Sequence, residues 1–111
     1  MLTEKDYCDL DTSVELKKMG IPLTSCGVIK HPMKLTTLVP LYVAQKWLRE
    51  KKNIEVNTFY DNTDACWRFY ILEIDSPDLS GTYAYKDAFM SYEDTLLEGI
   101  KEAIKILKEK K

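Results

Sequence analysis

Apolar residues recur at helical spacing over the last twenty residues of the chain. They fall on one half of a helical wheel, and charged residues occupy the other half. Ser91 can accept a hydrogen bond from the amide three residues on, and Asp94 can reach back to it, which is the capping-box arrangement of a helix start. The pattern therefore predicts an amphipathic C-terminal helix whose buried residues are Leu96, Leu97, Ile100, Ala103, Ile104 and Leu107.

Gly99 lies inside the apolar half of this helix, between Thr95 and Ala103. A glycine in a helix interior costs about 1 kcal/mol relative to alanine, so its presence needs a reason. Small residues at every fourth position let another backbone approach closely, and this interpretation is favoured over a tolerated surface glycine. We expect Gly99 to contact the second helix or the sheet closely.

Two further helices are predicted in the first half of the chain. Candidate caps from Asp9 to Ser13 precede Val14 to Met19, and Gly20 follows where helices commonly end, which indicates a helix of at most about two turns. A second helix is expected from near Pro40, a residue favoured in a first turn, to about Lys52. Its apolar arc carries Leu41, Ala44, Trp47 and Leu48.

The apolar period changes from helical to alternating at Ile54. Alternation predicts a strand from Ile54 to Tyr60, and polar turn residues separate it from a second strand from Cys66 to Asp75. A third, shorter strand is expected from Thr82 to Lys86. The segment from Thr24 to Thr37 shows no clean period and is predicted as an extended loop with at most one short strand at Gly27 to Lys30.

The element order is α-α-β-β-β-α, which predicts an α+β domain. Its three-stranded antiparallel meander would be covered on one face by the second and C-terminal helices. The length of 111 residues fits a single domain over residues 1–111, and no internal repeat or linker is visible.

Both faces of the second strand are apolar. Trp67, Phe69 and Ile71 alternate with Cys66, Tyr70, Leu72 and Ile74. A sheet covered on one side only would expose one of these sets as a binding or dimerisation surface, for which the candidate residues are Phe59, Trp67, Phe69 and Ile71. Alternatively, the roughly forty residues before the sheet fold across the second face and make an ordinary core. The sequence leaves both interpretations open.

Composition and charge describe a compact soluble protein. The chain is 45% hydrophobic and 31% charged, and its net charge of -2 gives no global attraction to nucleic acid or anionic membranes. No apolar run approaches the roughly 20 residues that span a bilayer, and no secretory signal is evident, so a cytoplasmic location is expected. The three cysteines lack a C-x-x-C pair, which favours reduced thiols.

Residues that could carry catalytic chemistry are sparse. His31 is the only histidine, so a His-based metal cluster is excluded, and a loop histidine before proline is more often structural than catalytic. The acidic residues Asp6, Asp9 and Asp11 lack the central glycine and terminal glutamate of an EF-hand, and no phosphate-cradling glycine loop occurs. We therefore predict no catalytic residue, no metal and no cofactor, and expect that the protein is not an enzyme.

One basic cluster could meet phosphates. It comprises Lys46, Arg49, Lys51 and Lys52 at the end of the second helix. Such runs usually complement the helix macrodipole and stay solvated, and this interpretation is favoured. The alternative is nucleic-acid binding, since the helix, three strands and helix that follow residue 38 share their order with double-stranded-RNA-binding domains.

Three segments carry a family resemblance: Val14 to Gly20, Leu41 to Glu50, and the terminal Ser91 to Asp94 with Leu97 to Ile100. They resemble a group of short, uncharacterised proteins from gut anaerobic bacteria and their phages or mobile elements. The resemblance implies a small intracellular accessory protein associated with mobile DNA, and it brings no catalytic residues with it. The helix from Tyr92 to Ala103 is also similar to the last helix of HicB-type antitoxins, in which strands precede a Glu-Ala-rich helix.

Taken together, the sequence predicts a non-enzymatic interaction module that self-associates or binds a protein partner. A nucleic-acid-binding module and a HicB-like antitoxin that inhibits a small nuclease are the alternatives.

Overall fold

The first helix, α1 (Leu10–Lys18), begins and ends at the residues that the sequence marks as caps. Asp9 is its N-cap, and the Asp9 carboxylate accepts a hydrogen bond from the Thr12 amide at 2.8 Å. Gly20 follows the helix with φ +105°, a left-handed conformation that glycine adopts without strain. At nine residues, α1 is slightly longer than expected. The computed structural model describes residues 6–22, 27–30, 35–74, 82–85 and 87–109.

A two-stranded antiparallel ribbon follows α1, formed by β1 (Gly27–Lys30) and β2 (Leu35–Leu38). Gly27 pairs with Leu38, and Lys30 pairs with Leu35. The short strand expected at Gly27 to Lys30 is confirmed, whereas the extended loop expected up to Thr37 is wrong from Leu35 onwards. Strands of four residues are held by their pairing ladder and are too short to show a convincing alternation in sequence.

The other two helices, α2 (Leu41–Lys51) and α3 (Tyr92–Glu109), match their predicted spans. The Ser91 hydroxyl accepts a hydrogen bond from the Asp94 amide at 3.1 Å, so Ser91 caps α3 as predicted. The buried arc of α3 is wider than the predicted stripe, because α3 packs on the sheet on one side and on α1 on the other. Its buried residues are Thr95, Leu96, Gly99, Ile100, Ala103, Ile104 and Ile106.

The main sheet is the predicted antiparallel meander, in the order β3 (Ile54–Asp61), β4 (Cys66–Glu73) and β5 (Thr82–Ala84). Helices α2 and α3 pack on β3, and α3 also packs on β4. The α+β class and the predicted succession of three helices and three meander strands are therefore confirmed, with the β1–β2 ribbon as an addition.

Strand register decides which side chains face the helices. Val56 pairs with Ile71, and Thr58 pairs with Phe69, and these residues lie on the helix side of the sheet. Phe59 pairs with Arg68, and directly opposed residues of an antiparallel pair share a face. Phe59 therefore lies on the opposite face of the sheet from Phe69.

The described part of the N-terminal segment packs on α3 and β2, on the helix side of the sheet. Cys8 donates its amide hydrogen to the Val39 carbonyl at 2.7 Å. The buried Ser13 hydroxyl accepts a hydrogen bond from the Val39 amide at 3.1 Å and donates to the Cys8 carbonyl at 3.5 Å. In this part of the chain, α1 joins the helix-side core through Leu16. Of the two interpretations that the sequence leaves open, α1 does not supply the cover of the second sheet face that one of them requires.

Helix α2 lies beside β3, which is an edge strand of the sheet. The Gln45 side chain donates a hydrogen bond from Nε2 to the Val56 carbonyl at 2.8 Å. Alternate residues of an edge strand turn their backbone groups away from the neighbouring strand, where they need another partner. The Gln45 amide supplies that partner at Val56.

The Asp9 carboxylate joins α1 to α3 as well as capping α1, since it lies 3.0 Å from the Lys101 ammonium. Partial burial alone would raise the pKa of Asp9, but hydrogen bonds from Thr12 and Lys101 outweigh it and hold the pKa below its ordinary value of 3.8. A carboxylate whose folded pKa is lowered stabilises the fold above its unfolded pKa, and that contribution is lost as pH falls through the folded pKa.

We expect Asp9→Ala to lower the free energy of unfolding by about 1 kcal/mol at pH 7, because the cap is lost. Asp9→Asn keeps a capping oxygen and loses only the charge, so it should lower the free energy of unfolding by less than Asp9→Ala does. The difference between wild type and Asp9→Asn should shrink as pH falls below 3.8, as followed by urea denaturation at several pH values. A difference that stays constant from pH 7 to well below 3.8 would contradict this assignment.

Candidate functional site

Four partly exposed aromatic side chains are linked by ring contacts or by a shared groove, and we call them the aromatic surface: Tyr42, Tyr60, Trp67 and Tyr92. The rings of Tyr60 and Trp67 meet edge to face with centroids 5.3 Å apart, and those of Trp67 and Tyr92 do so at 5.4 Å. Tyr42, Tyr60 and Tyr92 are 58%, 48% and 40% exposed, and Trp67 is half-buried between the last two. The rings of Tyr60, Trp67 and Tyr92 thus form an edge-to-face row that is both ordered and accessible to solvent.

Backbone pairing places these rings together. Tyr60 and Trp67 are a cross-strand pair beside the β3–β4 turn, so their side chains share a face. Beyond β5, Phe89 continues the ladder on the far side of β4, exchanging hydrogen bonds of 2.9 and 3.0 Å with Trp67. This bridge fixes the chain immediately before α3, and Tyr92, the first residue of α3, is thereby held against the Trp67 indole.

A small groove separates the first turns of α2 and α3. Its volume is about 90 Å³. Its lining combines the buried Leu41 and Leu96 with the partly exposed Tyr42 and Tyr92. The full lining is Asp6, Leu41, Tyr42, Tyr92, Glu93 and Leu96.

The two carboxylates of the nearby β3–β4 turn, those of Asp61 and Asp64, both accept hydrogen bonds from Arg68. Arg68 donates from Nε to Asp61 at 2.9 Å and from Nη2 to Asp64 at 2.5 Å. The hydrogen bond from Arg68 lowers the pKa of Asp61. One arginine offsets only one of these two carboxylates, and the lining of the neighbouring groove includes two more acidic residues, Asp6 and Glu93.

The structure buries two of the four residues that the sequence proposes for an interaction surface. Phe69 and Ile71 are 1% and 0% exposed and belong to the core, so they cannot form a surface. Phe59 is 40% exposed but lies on the opposite face, where its ring is 6.1 Å from that of Tyr70. Of the four candidates, Trp67 alone belongs to the aromatic surface. An alternating pattern with two apolar faces cannot tell which face the helices cover, and this is why the prediction failed.

Sequence reasoning missed Tyr60 and Tyr92 as site residues. Tyr60 lies on the strand face opposite Phe59, as alternation requires, but its pairing with Trp67 depends on the register. Tyr92 directly follows the helix cap and precedes the apolar stripe of α3. A large aromatic side chain in that position, outside the buried stripe, was the available signal.

The basic candidates on α2 do not form one site. Arg49 lies 3.5 Å from Glu55, and the Lys52 ammonium lies 5.4 Å from the centroid of the Trp47 ring. Lys46 and Lys51 are exposed. In helical projection Lys51 points well away from the arc that carries Lys46, Arg49 and Lys52.

Lys52 instead meets lysines from the other two helices. A groove of about 490 Å³ brings it together with Lys18 and Lys108, at the C-terminal ends of all three helices. Glu15 lies 2.5 Å from Lys108 and 3.9 Å from Lys18. Each helix C-terminus also carries about half a negative charge, so three such ends and one carboxylate offset most of the charge of three lysines.

The described residues contain neither a metal-binding cluster nor a membrane-spanning helix. Within residues 6–22, 27–30, 35–74, 82–85 and 87–109, no group of three histidine, cysteine, aspartate or glutamate side chains could hold a metal ion. In the same ranges, no helix is long and apolar enough to cross a membrane. Cys8 and Cys66 are buried cysteines, whereas Cys26 and His31 lie outside the described residues.

The geometry of the site is the basis for any functional assignment. Comparison of the chain with protein-family models, with curated proteins and with solved structures gives no match.

Proposed function

We propose that the protein is a non-enzymatic interaction module that binds a protein through the aromatic surface. The observation that carries this proposal is the edge-to-face row of Tyr60, Trp67 and Tyr92, whose outer rings are nearly half exposed. Tyrosine and tryptophan dominate the energetics of protein interfaces. Rings that already hold one another in place lose little side-chain entropy on binding, which favours affinity.

The proposal covers both a different protein and a second copy of the chain as the bound partner. The nucleic-acid-binding alternative would use the groove of Lys18, Lys52 and Lys108, and we rank it lower because nearby negative charge offsets those lysines. The antitoxin alternative is supported by the similarity of the last helix alone. Cytoplasmic location and association with mobile DNA are proposals that come from the sequence.

A double substitution, Tyr60→Ser with Tyr92→Ser, tests the proposal. Loss of two interface aromatics should weaken binding by at least about thirtyfold, since hot-spot truncations cost 2 kcal/mol or more. Tagged protein would be purified with its partners from cells of the source organism, and light scattering of the purified chain would detect self-association.

Phe59→Ser is the matched control, because Phe59 is 40% exposed on the opposite face of the sheet. A partner or a dimer that survives Phe59→Ser and disappears with the double substitution supports the proposal. A partner that both variants retain equally would place the binding site elsewhere, and a partner that Phe59→Ser alone abolishes would place it on the other sheet face.

A further inference from the structure

We propose that the exposed half of the β3 edge binds an extended segment of a different protein, the one that docks on the aromatic surface, and that this segment adds to the main sheet as a further strand at Thr58 and Tyr60. This inference rests on the proposed function and names the backbone conformation that the partner presents. Tyr60 belongs to both parts of the site, because its ring lies in the aromatic surface and its backbone lies on an edge strand.

The hydrogen-bond pattern of the sheet shows which residues of β3 turn their backbone groups outward. Trp67 exchanges both of its backbone hydrogen bonds with Phe89 on the far side of β4, so its pair with Tyr60 is not hydrogen-bonded. The N–H and C=O groups of Tyr60 therefore point away from β4. Because the pattern of an antiparallel ladder repeats every two residues, Thr58 has the same orientation.

Two contacts at the beginning of β3 agree with this orientation. The carbonyl of Val56, two residues before Thr58, points outward and accepts the hydrogen bond from Gln45. The Ile74 amide donates to the Asn53 carbonyl at 2.8 Å, so the backbone of Asn53 points inward, toward β4. Asn53 is an odd number of residues from Val56 and Thr58, as the alternation requires.

The outward groups of β3 differ in what covers them. Val56 is buried beside α2, whereas Phe59 and Tyr60 are nearly half exposed. Within the described part of the chain, no group forms a hydrogen bond with the backbone N–H or C=O of Thr58 or Tyr60. The edge is therefore closed at Val56 and open at Thr58 and Tyr60, next to the aromatic surface.

Unpaired backbone groups select the chemistry of their occupant. Thr58 and Tyr60 each offer one donor and one acceptor, and an added strand can pair with all of these groups at once. A helix has no free backbone groups along its length, and an anion could accept from the amides but could not donate to the carbonyls. Proteins commonly block such edges with proline or lysine, and β3 contains neither.

A segment of a different protein fits this edge better than the same edge of a second copy. In a pair of identical edges, α2 would flank the new ladder from both sides, whereas an extended segment meets α2 only once. The side chains of that segment opposite Thr58 and Tyr60 would lie on the helix side of the sheet, where they can contact the Tyr60 ring.

The test is an NMR titration of the isotope-labelled full chain with the peptide acetyl-Val-Thr-Val-Thr-Val-amide, which has high strand propensity. The same peptide with its residues N-methylated is the matched probe, because it keeps the side chains and lacks their backbone donors. We expect saturable shifts of the Thr58 and Tyr60 amides with a Kd of about 1 mM, and at least about fivefold weaker binding of the methylated peptide.

Amide hydrogen exchange identifies the mode of binding. In the free chain, the amides of Thr58 and Tyr60 should exchange faster than those of Asn57 and Phe59, which point toward β4. The peptide at about four times its Kd should slow exchange at Thr58 and Tyr60 about fivefold and leave Asn57 and Phe59 unchanged. Slow exchange of Thr58 and Tyr60 without peptide would show that the edge is already closed, and would overturn the inference.

Two variants of one residue assign the effect to the backbone. Thr58→Pro removes an edge donor that does not bond to β4 and places a ring in the path of the added strand, so peptide binding should weaken about tenfold or more. Thr58→Val changes the side chain and keeps the backbone, so Kd should change less than about twofold. Absence of saturable shifts, equal binding of the methylated peptide, or equal Kd values for the two variants would each overturn the inference.

Urea denaturation shows whether Thr58→Pro is folded. The comparison of the two peptides uses the parent chain, so it tests the inference even where Thr58→Pro fails to fold.

Failure of this inference can be distinguished from failure of the proposed function. In the purification experiment, a partner that is lost with Tyr60→Ser/Tyr92→Ser but fully retained by Thr58→Pro would support the aromatic surface and overturn strand addition. Retention by both variants would overturn both. A dimer of the purified chain that Thr58→Pro dissociates would assign the edge to a second copy and overturn its assignment to a different protein.

Discussion

Replacing Gly99 by leucine is expected to lower the free energy of unfolding by about 3 kcal/mol or more, and to leave little folded protein if the parent is marginally stable. A Cβ atom at Gly99 would lie 2.4 Å from Val56 Cγ1 and 3.3 Å from Phe69 Cδ2. Both neighbours are fully buried, and valine has few rotamers available, so the added atoms have nowhere to go. Urea denaturation followed by circular dichroism measures the loss.

Gly99→Ala adds a single methyl group at the contact with Val56, and so tests that contact without the bulk of a leucine side chain. Alanine improves helix propensity by about 1 kcal/mol, but crowding against Val56 should outweigh this gain and leave a net loss. Val56→Ala removes the crowded methyl group, so the double variant should be more stable than the sum of the single effects predicts, with a coupling of about 1–2 kcal/mol.

Gly20→Ala is the control for this cycle. A Cβ at Gly20 meets no atom within 4 Å, and the substitution is strained only by its φ of +105°. It should therefore show no coupling to Val56→Ala. Additive effects of Gly99→Ala and Val56→Ala would contradict the close contact that we assign to Gly99.

Ser13→Ala is expected to lower the free energy of unfolding by about 1–3 kcal/mol, because the buried Val39 amide then loses its hydrogen-bond acceptor. Ser13→Ala removes the hydrogen bond from the Val39 amide to α1 and leaves the one from the Cys8 amide to the Val39 carbonyl, so the end of β2 is held less firmly. Amide hydrogen exchange should therefore accelerate in α1 and at Val39 more than in β3 and β4.

Val14→Ala is the matched comparison for Ser13→Ala, since Val14 lies on the exposed side of the same helix. It should change stability by less than about 1 kcal/mol. Equal losses for Val14→Ala and Ser13→Ala, or unchanged exchange of the Val39 amide in Ser13→Ala, would show that this hydroxyl does not join α1 to the core.

The helices were predictable because their signals are local. Ser91 caps α3, Asp9 caps α1, and the burial of Gly99 follows from its place in the apolar arc. Each of these depends on residues within two turns of one another, where helical periodicity applies directly. The contact between Gly99 and Val56 joins distant parts of the chain. The sequence predicted only that Gly99 would contact the second helix or the sheet.

The site was harder to predict because it depends on pairing between distant residues. The strand pattern correctly separated Phe59 from Tyr60, but it could not show that Tyr60 lies opposite Trp67 or that Phe89 brings Tyr92 to the same place. Trp67 and Phe69 share a strand face, yet one lies at the open end of the helix layer and the other beneath α3. Burial along a single face therefore changes with position, which an alternating pattern does not record.

The hydrogen bond from Gln45 to the Val56 carbonyl has a consequence for how copies of the protein behave at high concentration. An edge strand with free backbone groups is a template on which another chain can polymerise, and β3 contains neither proline nor lysine to prevent this. A glutamine side chain of the adjacent helix occupies the position that a foreign strand would take. We therefore expect Gln45, a residue outside the strand, to hinder the addition of another strand at Val56.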